Sequence, residues 1–379
     1  MLEFTKANCE CGRSLATIPN HWERIQVYDL PKLALEVWKY QRERKYCPCG
    51  CLHEASLPES VNRGVQYGSR IKDIVNYLHH YQEIPLQRCA ELVKDCFDHT
   101  LIEASIMNNS QKRYDILEKP EQAILTGLRE ALMVYGDETG MFVTQKQHHV
   151  HVRSNDELTY YHVNSSRGKE THKAIGLLAS YTGYMVHDCY RSYFSYKGTH
   201  VLCHSHLVRE LLAVYEQTQQ TWARDLAQHL LDTNQERHDS FLTKDQQGDR
   251  MQTYKDLVLE GLLLNPKQAR APDDTKRGKV KQTKAHNLAH RLLIYADAVT
   301  AFIRDPTVPF TNNQAERDLR MVKLKQKISG GFRTLLGAQH FCRIRGYIST
   351  LRKNQMHVLE ALTHAFQHTV LLPDGILGE

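Results

Sequence analysis

Three carboxylates would form a reactive centre if the fold gathered them: Asp137 in YGDETG, Asp188 at the end of YMVHD, and Glu316 in TNNQAERDLRMVKLKQK. Acids packed together repel one another, and a divalent cation relieves that repulsion. Oxygen ligands of this kind suit Mg²⁺ or Mn²⁺. Two such ions about 4 Å apart activate an attacking oxygen and stabilise the leaving oxygen of a phosphodiester. Glu316 also heads a helical stripe that continues at offsets of 4, 7 and 11 with Arg320, Lys323 and Lys327, while Ala315, Leu319 and Val322 make an apolar stripe. Such a basic face would lie along a phosphate backbone, its cations positioning the DNA rather than reading bases.

Each acid has a plainer reading. Asp137 reads as a turn residue and Asp188 as a cap for the segment that follows. Glu316, three residues after Asn313, fits a helix capping box in which it only satisfies a backbone N–H. The case for chemistry is their joint placement.

A second centre lies near the N-terminus. Of ten cysteines, half fall in the first 51 residues: Cys9, Cys11, Cys47, Cys49 and Cys51. Two cysteine pairs supply the four soft ligands that tetrahedral zinc needs. The expected set is Cys9, Cys11, Cys47 and Cys49 around one structural ion, with Cys51 as the alternative to Cys49. Both pairs are C-x-C instead of the usual C-x-x-C. Between them, IQVYDL and LALEVW within residues 22–45 read as short strands, so the region is expected to be a zinc ribbon. Unrelated buried thiols are the competing reading.

The elements that must position the acids follow from periodicity. Residues 67–107 carry Ile71, Ile74, Val75, Leu78, Leu86, Leu92 and Val93 at helical spacing, Asn108, Asn109 and Ser110 read as a break, and a further helix covers roughly 112–130. ALMVYGDETGMFV, HVHVRS and LTYYHVN read as strands, KETHKAIGLLAS as a short helix, and YTGYMVHD as a final strand. Three strands able to form a meander, then a crossover to a parallel strand, open a ribonuclease-H-like domain. Pairing of the first and last strands would bring Asp137 beside Asp188. Residues 205–304 are helical in pattern, interrupted by PKQARAPDDTKRGKVKQTK, which reads as an exposed, mobile linker.

The predicted architecture is therefore a multidomain α+β and α/β chain. It has a zinc-binding ribbon at 1–60, a helical linker or DNA-binding region at 61–130, and the first part of a ribonuclease-H-like core at 131–204. A helical insertion at 205–305 and the closing helices of the core at 306–379 complete it. With 379 residues, 41% hydrophobic and 24% charged, the composition is that of a soluble globular protein. No apolar run nears the roughly 20 residues of a membrane span, and no signal-peptide core follows Met1. A reducing cytoplasm is expected, with cysteines as thiols or metal ligands. The net charge of +6 permits a nucleic-acid partner without requiring one.

DETG at 137–140, LTYYHVNSSRGKE, MVHDCYRSYF, HVLCHSHLVREL, VPFTNNQAERDLRMVKLKQKISGGFRT and FCRIRGYISTLRKN, in that order, resemble transposases of the insertion sequence 66 family. The resemblance runs from about residue 8 to residue 368, and CECGRSL is similar to the start of the family's zinc-binding segment. It implies a DDE transposase with a ribonuclease-H-like core, with Asp137, Asp188 and Glu316 as the catalytic, Mg²⁺-binding acids. It also implies a helical insertion before the third acid. Double-stranded DNA, both element ends and target, would be the partner, with a homo-oligomer assembled on it, accessory proteins of the element possible, and a nucleoid-associated location. Cys203 and His206 in CHSH match a family C-x-x-H pattern, where a core thiol and a satisfied histidine are expected in preference to metal ligands.

Three departures from the resemblance stand out. Thr311 replaces a common Asp, YCPCGC is one residue short of the usual knuckle, and the leucine-zipper-like helix expected at the start of relatives has no counterpart ahead of CECGRSL in the sequence as given. The rival expectations are a truncated, inactive DNA-binding relic and a nuclease of the same fold that cuts without joining.

Overall fold

Strand pairing begins at Arg44. The computed structural model describes residues 6–58, 61–270, 278–366 and 371–373, and its first paired strands are β1 (Arg44–Tyr46) and β2 (Leu52–Glu54), an antiparallel hairpin around the second cysteine turn. The strands expected within residues 22–45 are absent up to residue 43. That stretch has no regular structure, and Ile25, Val27, Tyr28, Leu30, Val37 and Trp38 are exposed. Alternating apolar residues make a strand only where a neighbouring strand takes the backbone N–H and C=O groups, and among the described residues none does.

A helical unit follows: α1 (Ser69–Asn76), one π-helical turn (Tyr77–Tyr81), α2 (Leu86–Phe97), α3 (Glu103–Ile116) and α4 (Glu118–Glu130). The break expected at Asn108–Ser110 is not there, because α3 runs straight through it. Asn109 and Ser110 are buried, and the Ser110 hydroxyl donates to the Ile106 carbonyl at 3.1 Å and pairs with His80 Nε2 at 2.8 Å. Such residues break helices when no better partner exists, and here the fold supplies one. The real break is at Asp98, left-handed at φ 49°.

The central sheet contains β3 (Met133–Val143), β4 (Lys146–Ser154), β5 (Thr159–Asn164), β6 (Tyr184–His187) and β7 (Thr199–Leu202), with α5 (Lys169–Ile175) between β5 and β6. Its order is β5-β4-β3-β6-β7. β3, β4 and β5 form the expected antiparallel meander, and β6 lies parallel to β3 with Tyr135 opposite Val186. YMVH is not the last strand. β7, four residues long and parallel to β6, extends the sheet.

Beyond β7 come α6 (His204–Thr218), α7 (Thr221–Asp239), α8 (Lys244–Leu264), α9 (Lys284–Ile294) and two short turns of helix, α10 (Ala296–Val299) and α11 (Ala301–Arg304). They pack around Trp222, Leu226, Leu230, Tyr254 and Val258, continuous with Val186 and Val201 of the sheet. Of the expected linker, 266–270 and 278–283 are irregular, whereas 271–277 lie outside the described residues.

The chain then returns to the sheet with α12 (Asn313–Ser329), α13 (Leu335–Lys353) and α14 (Val358–Phe366). Ala315, Leu319 and Val322 of α12 are buried against Met141, Val143, Val150 and Val152. The other sheet face is covered by Ile124, Leu125 and Leu128 of α4, against Val134 and Met185. Both ends of α12 are fastened to β3. Ahead of the helix, Asn312 Nδ2 donates to the Gly136 carbonyl at 2.9 Å. Behind it, Phe332 N donates to Phe142 O and Thr144 N to Phe332 O, each at 2.9 Å. Gly331, at φ 150°, permits that return, since a Cβ there would collide with the Phe142 carbonyl.

One lysine of α12 faces inward. Lys325 is buried, its Nζ 3.6 Å from Glu83 Oε2, and Arg345 of α13 lies 3.8 Å from Glu83 Oε1. Buried charge thus ties the N-terminal helical unit to both helices behind the sheet.

Candidate active site

The parallel register sets the site. Tyr135 lies opposite Val186 and His187 opposite Leu202, so two residues further along β3 Asp137 comes level with Asp188, just past the end of β6. Cys203 N donates to His187 O at 3.0 Å, which places Cys203 at the same edge. Asn312 then binds both sides of this edge, its N–H donating to Cys203 Sγ at 3.2 Å and its Nδ2 to Gly136 O. Glu316, one turn into α12, is thereby kept on the same side of the sheet, near enough to Asp137 to act on its charge, although the oxygens of Asp137, Asp188 and Glu316 do not all lie within 4.8 Å of one another. The capping box is not formed, because Asn312 is the cap residue and no side chain caps the helix. Asn312 spends its amide on β3, and the Glu316 carboxylate is left to the site.

Electrostatics show the acids acting on one another. Burial, with help from Asp188, Glu138 and Glu316, pushes the Asp137 carboxyl up to about 7. Asp137 Oδ1 accepts the Glu138 N–H at 2.8 Å, a bond that opposes the shift. Asp188 partly fulfils its plainer reading, since Oδ1 accepts the Tyr190 N–H at 3.1 Å across Cys189, which is held at φ 71°. A hard divalent cation suits oxygen donors of this kind, because it would supply the positive charge that these half-buried acids lack.

That shift has a measurable consequence. Both folded and unfolded chains hold the Asp137 proton well below pH 4, whereas on rising toward pH 7 the unfolded carboxyl ionises while the folded one resists. Stability from this group is therefore lost as pH rises through about 7. Buried histidines such as His151 and His172, whose values burial lowers, work in the opposite direction. The Asp137 share is read as a difference: without metal, Asp137→Asn should gain up to about 4 kcal/mol relative to wild type between pH 4 and 8. Thermal unfolding across that range checks it, and Mg²⁺ at pH 8 should erase the gap.

Beside the acids lies a softer set. Cys203, His206 and Glu316 offer ligand atoms within 4.8 Å of one another, the sole group of three or more among the described residues that does so. Cys203 is a core thiol, as expected. His206 is not a self-contained core histidine: its bond with Cys203, with Glu316 and Asp188 nearby, raises it to about 9.

Two charged neighbours escape a reading by motif. Glu138 follows Asp137 but is fully buried at its side chain, accepting from Arg167 Nε at 2.7 Å and from the Tyr193 hydroxyl at 2.8 Å. Arg167 in turn places Nη2 3.7 Å from Asp188 Oδ2. A lone arginine before a glycine carries no periodic signal, so only the fold reveals it.

Arg320, Lys323 and Lys327 are all exposed on α12. The cysteine turns are built alike. Cys9 N donates to Arg13 O and Gly12 N to Cys9 O, as Cys47 N donates to Cys51 O and Gly50 N to Cys47 O, with Gly12 at φ 83° and Gly50 at φ 90°. Thiols bond within each turn: Cys47 and then Cys51 lower Cys49 to about 7, and Cys11 lowers Cys9. No three of these sulphurs lie mutually within 4.8 Å, so the two turns do not converge on one point.

A family model described as Transposase IS66 family matches residues 64–340. The chain belongs to the IS66 transposase family. The match takes in nearly three quarters of the sequence, including Asp137, Arg167, Asp188 and Glu316, and begins after both cysteine turns. No protein of curated function matches this IS66-family chain. Membership supports a transposase function, with DNA as the partner. Among the described residues no helix is long and apolar enough to cross a membrane.

Proposed function

We propose that the chain is a DDE transposase with a ribonuclease-H-like core, cutting the phosphodiester at its element's ends to free a 3′-hydroxyl and directing that hydroxyl into target DNA. The observation that supports this reading is the parallel register that brings Asp137 level with Asp188, with Glu316 close enough to add to the charge acting on Asp137. Asp137, Asp188 and Glu316 would hold two Mg²⁺ or Mn²⁺ ions, which activate an attacking oxygen and stabilise a leaving one when bound. The chain's own task is positional. Asn312 fixes the entry of α12, partial burial limits the contact of Asp137 with water, and Arg320, Lys323 and Lys327 line the backbone of the DNA. A dimer or higher oligomer on paired ends, assisted by other proteins of the element, belongs to the same proposal.

The test is purified protein with Mg²⁺ and a duplex of its cognate end. Nicking followed by joining supports the reading. Nicking without joining favours a nuclease, and tight binding without nicking favours a DNA-binding relic.

The two kinds of lysine on α12 make a sharper check. Lys323→Ala should reduce the salt slope of DNA binding by about 1, the signature of one lost phosphate contact. Lys325→Met, which alters a buried residue, should leave that slope unchanged while shifting the unfolding midpoint.

We also propose one structural zinc, held by Cys9, Cys11, Cys47 and either Cys49 or Cys51, whose binding would have to draw together two turns that do not converge here. The twin turns support it, each presenting thiols behind a left-handed glycine. Metal analysis should find about one zinc per chain, lost in Cys9→Ser and Cys47→Ser. Metal-free, fully folded protein would end the idea.

A further inference from the structure

Arg167 is anchored on all sides but one. Its backbone lies in a tight loop, with Ser166 N donating to Asn164 Oδ1 at 3.0 Å and the Thr171 hydroxyl to Ser166 O at 2.6 Å. Its Nε is bonded to Glu138, which Tyr193 holds from the other side, and the Tyr193 hydroxyl also receives Arg153 Nη1 at 3.2 Å. The guanidinium lies over the Tyr190 ring, 4.3 Å from its centre. Yet the side chain is 41% exposed, whereas that of Glu138 is 0%. Nη2 stands 3.7 Å from Asp188, too far for a hydrogen bond, and no hydrogen bond to a described residue engages Nη1. A structural ion pair would close that gap. This arginine is fixed in place with its outer donors unspent.

We propose that Arg167 binds a DNA phosphate beside the acids, presenting its two Nη groups to the non-bridging oxygens of one phosphodiester next to the scissile bond. The inference rests on the proposed function, since it needs DNA at this edge. The chemistry suits the residue: a planar guanidinium offers paired donors that match a phosphate, and a lysine offers only a point charge. A cation held by Asp188 would weaken the long contact between Asp188 and Nη2 and leave the phosphate as the natural partner. Glu138, buried and doubly bonded, would set the plane of the guanidinium and not take part in metal binding.

The experiment uses the full chain with a cognate end duplex carrying one neutral methylphosphonate at a time around the nick. Binding is measured with Ca²⁺, and nicking with Mg²⁺. In wild type, one position near the nick should cost roughly 10- to 100-fold in binding. Arg167→Met should cost a similar factor and become insensitive at that same position. Arg167→Lys, which keeps charge and bulk, should retain part of that sensitivity, and unfolding midpoints report whether each variant is folded. Additive losses at every position in both variants would overturn the phosphate contact while leaving the transposase reading standing. Wild-type protein that neither binds nor nicks end DNA would overturn the function, and Arg167's role with it.

Discussion

Asp137→Asn should lower single-turnover nicking of end DNA by at least about 10³-fold, beyond the 10- to 100-fold typical of changes outside a metal's direct ligands. Binding of the same DNA should persist or tighten, because removing a carboxylate removes repulsion of phosphate. Asp188→Asn and Glu316→Gln should behave alike, and pairs of these changes should cost little more than one, since the acids act as a unit. Asp137 is the most informative of the three. Its raised value arises from burial and from the other acids, so Asn keeps the shape while ending the charge conflict. Nicking that survives in all three variants would refute the assignment.

The second large effect is on stability. Arg113 Nη2 and Asp73 Oδ1 pair at 2.7 Å with side chains 0% and 1% exposed, and Arg113 Nη1 also donates to the Leu362 carbonyl of α14. Asp73→Ala would leave the guanidinium buried without its carboxylate. Removing one partner of such a pair typically costs about 3–5 kcal/mol. Urea unfolding should show that loss, whereas Asp73→Leu combined with Arg113→Met should recover most of it, because the paired change buries no lone charge. If Asp73→Ala cost no more than an ordinary surface substitution, the pair would not be holding α1, α3 and α14 together.

Local pattern was readable wherever a residue's role depends on its near neighbours. The strands around Asp137, the meander, the parallel return to YMVH and the long helices beyond Cys203 all follow from spacing. The pattern misled where a distant partner decides. IQVYDL and LALEVW alternate like strands but have no strand beside them, and Asn109 and Ser110 look like a break but sit in α3 with buried partners. Likewise, Asn313 and Glu316 have the spacing of a cap, yet Asn312 took the cap position and turned its amide to Gly136.

By itself, then, the sequence singled out three acids to be tested, the helical stripe that carries Glu316, the two cysteine pairs and the family to which the chain belongs. Tertiary structure alone decided that β7 extends the sheet, that Lys325 points inward to Glu83 while Lys323 points outward, and that Arg167 reaches the acids through Glu138. The reason is physical. Periodicity records which face of an element avoids water, but a buried charge or an open guanidinium is defined by the groups that meet it, and those come from parts of the chain far away in sequence.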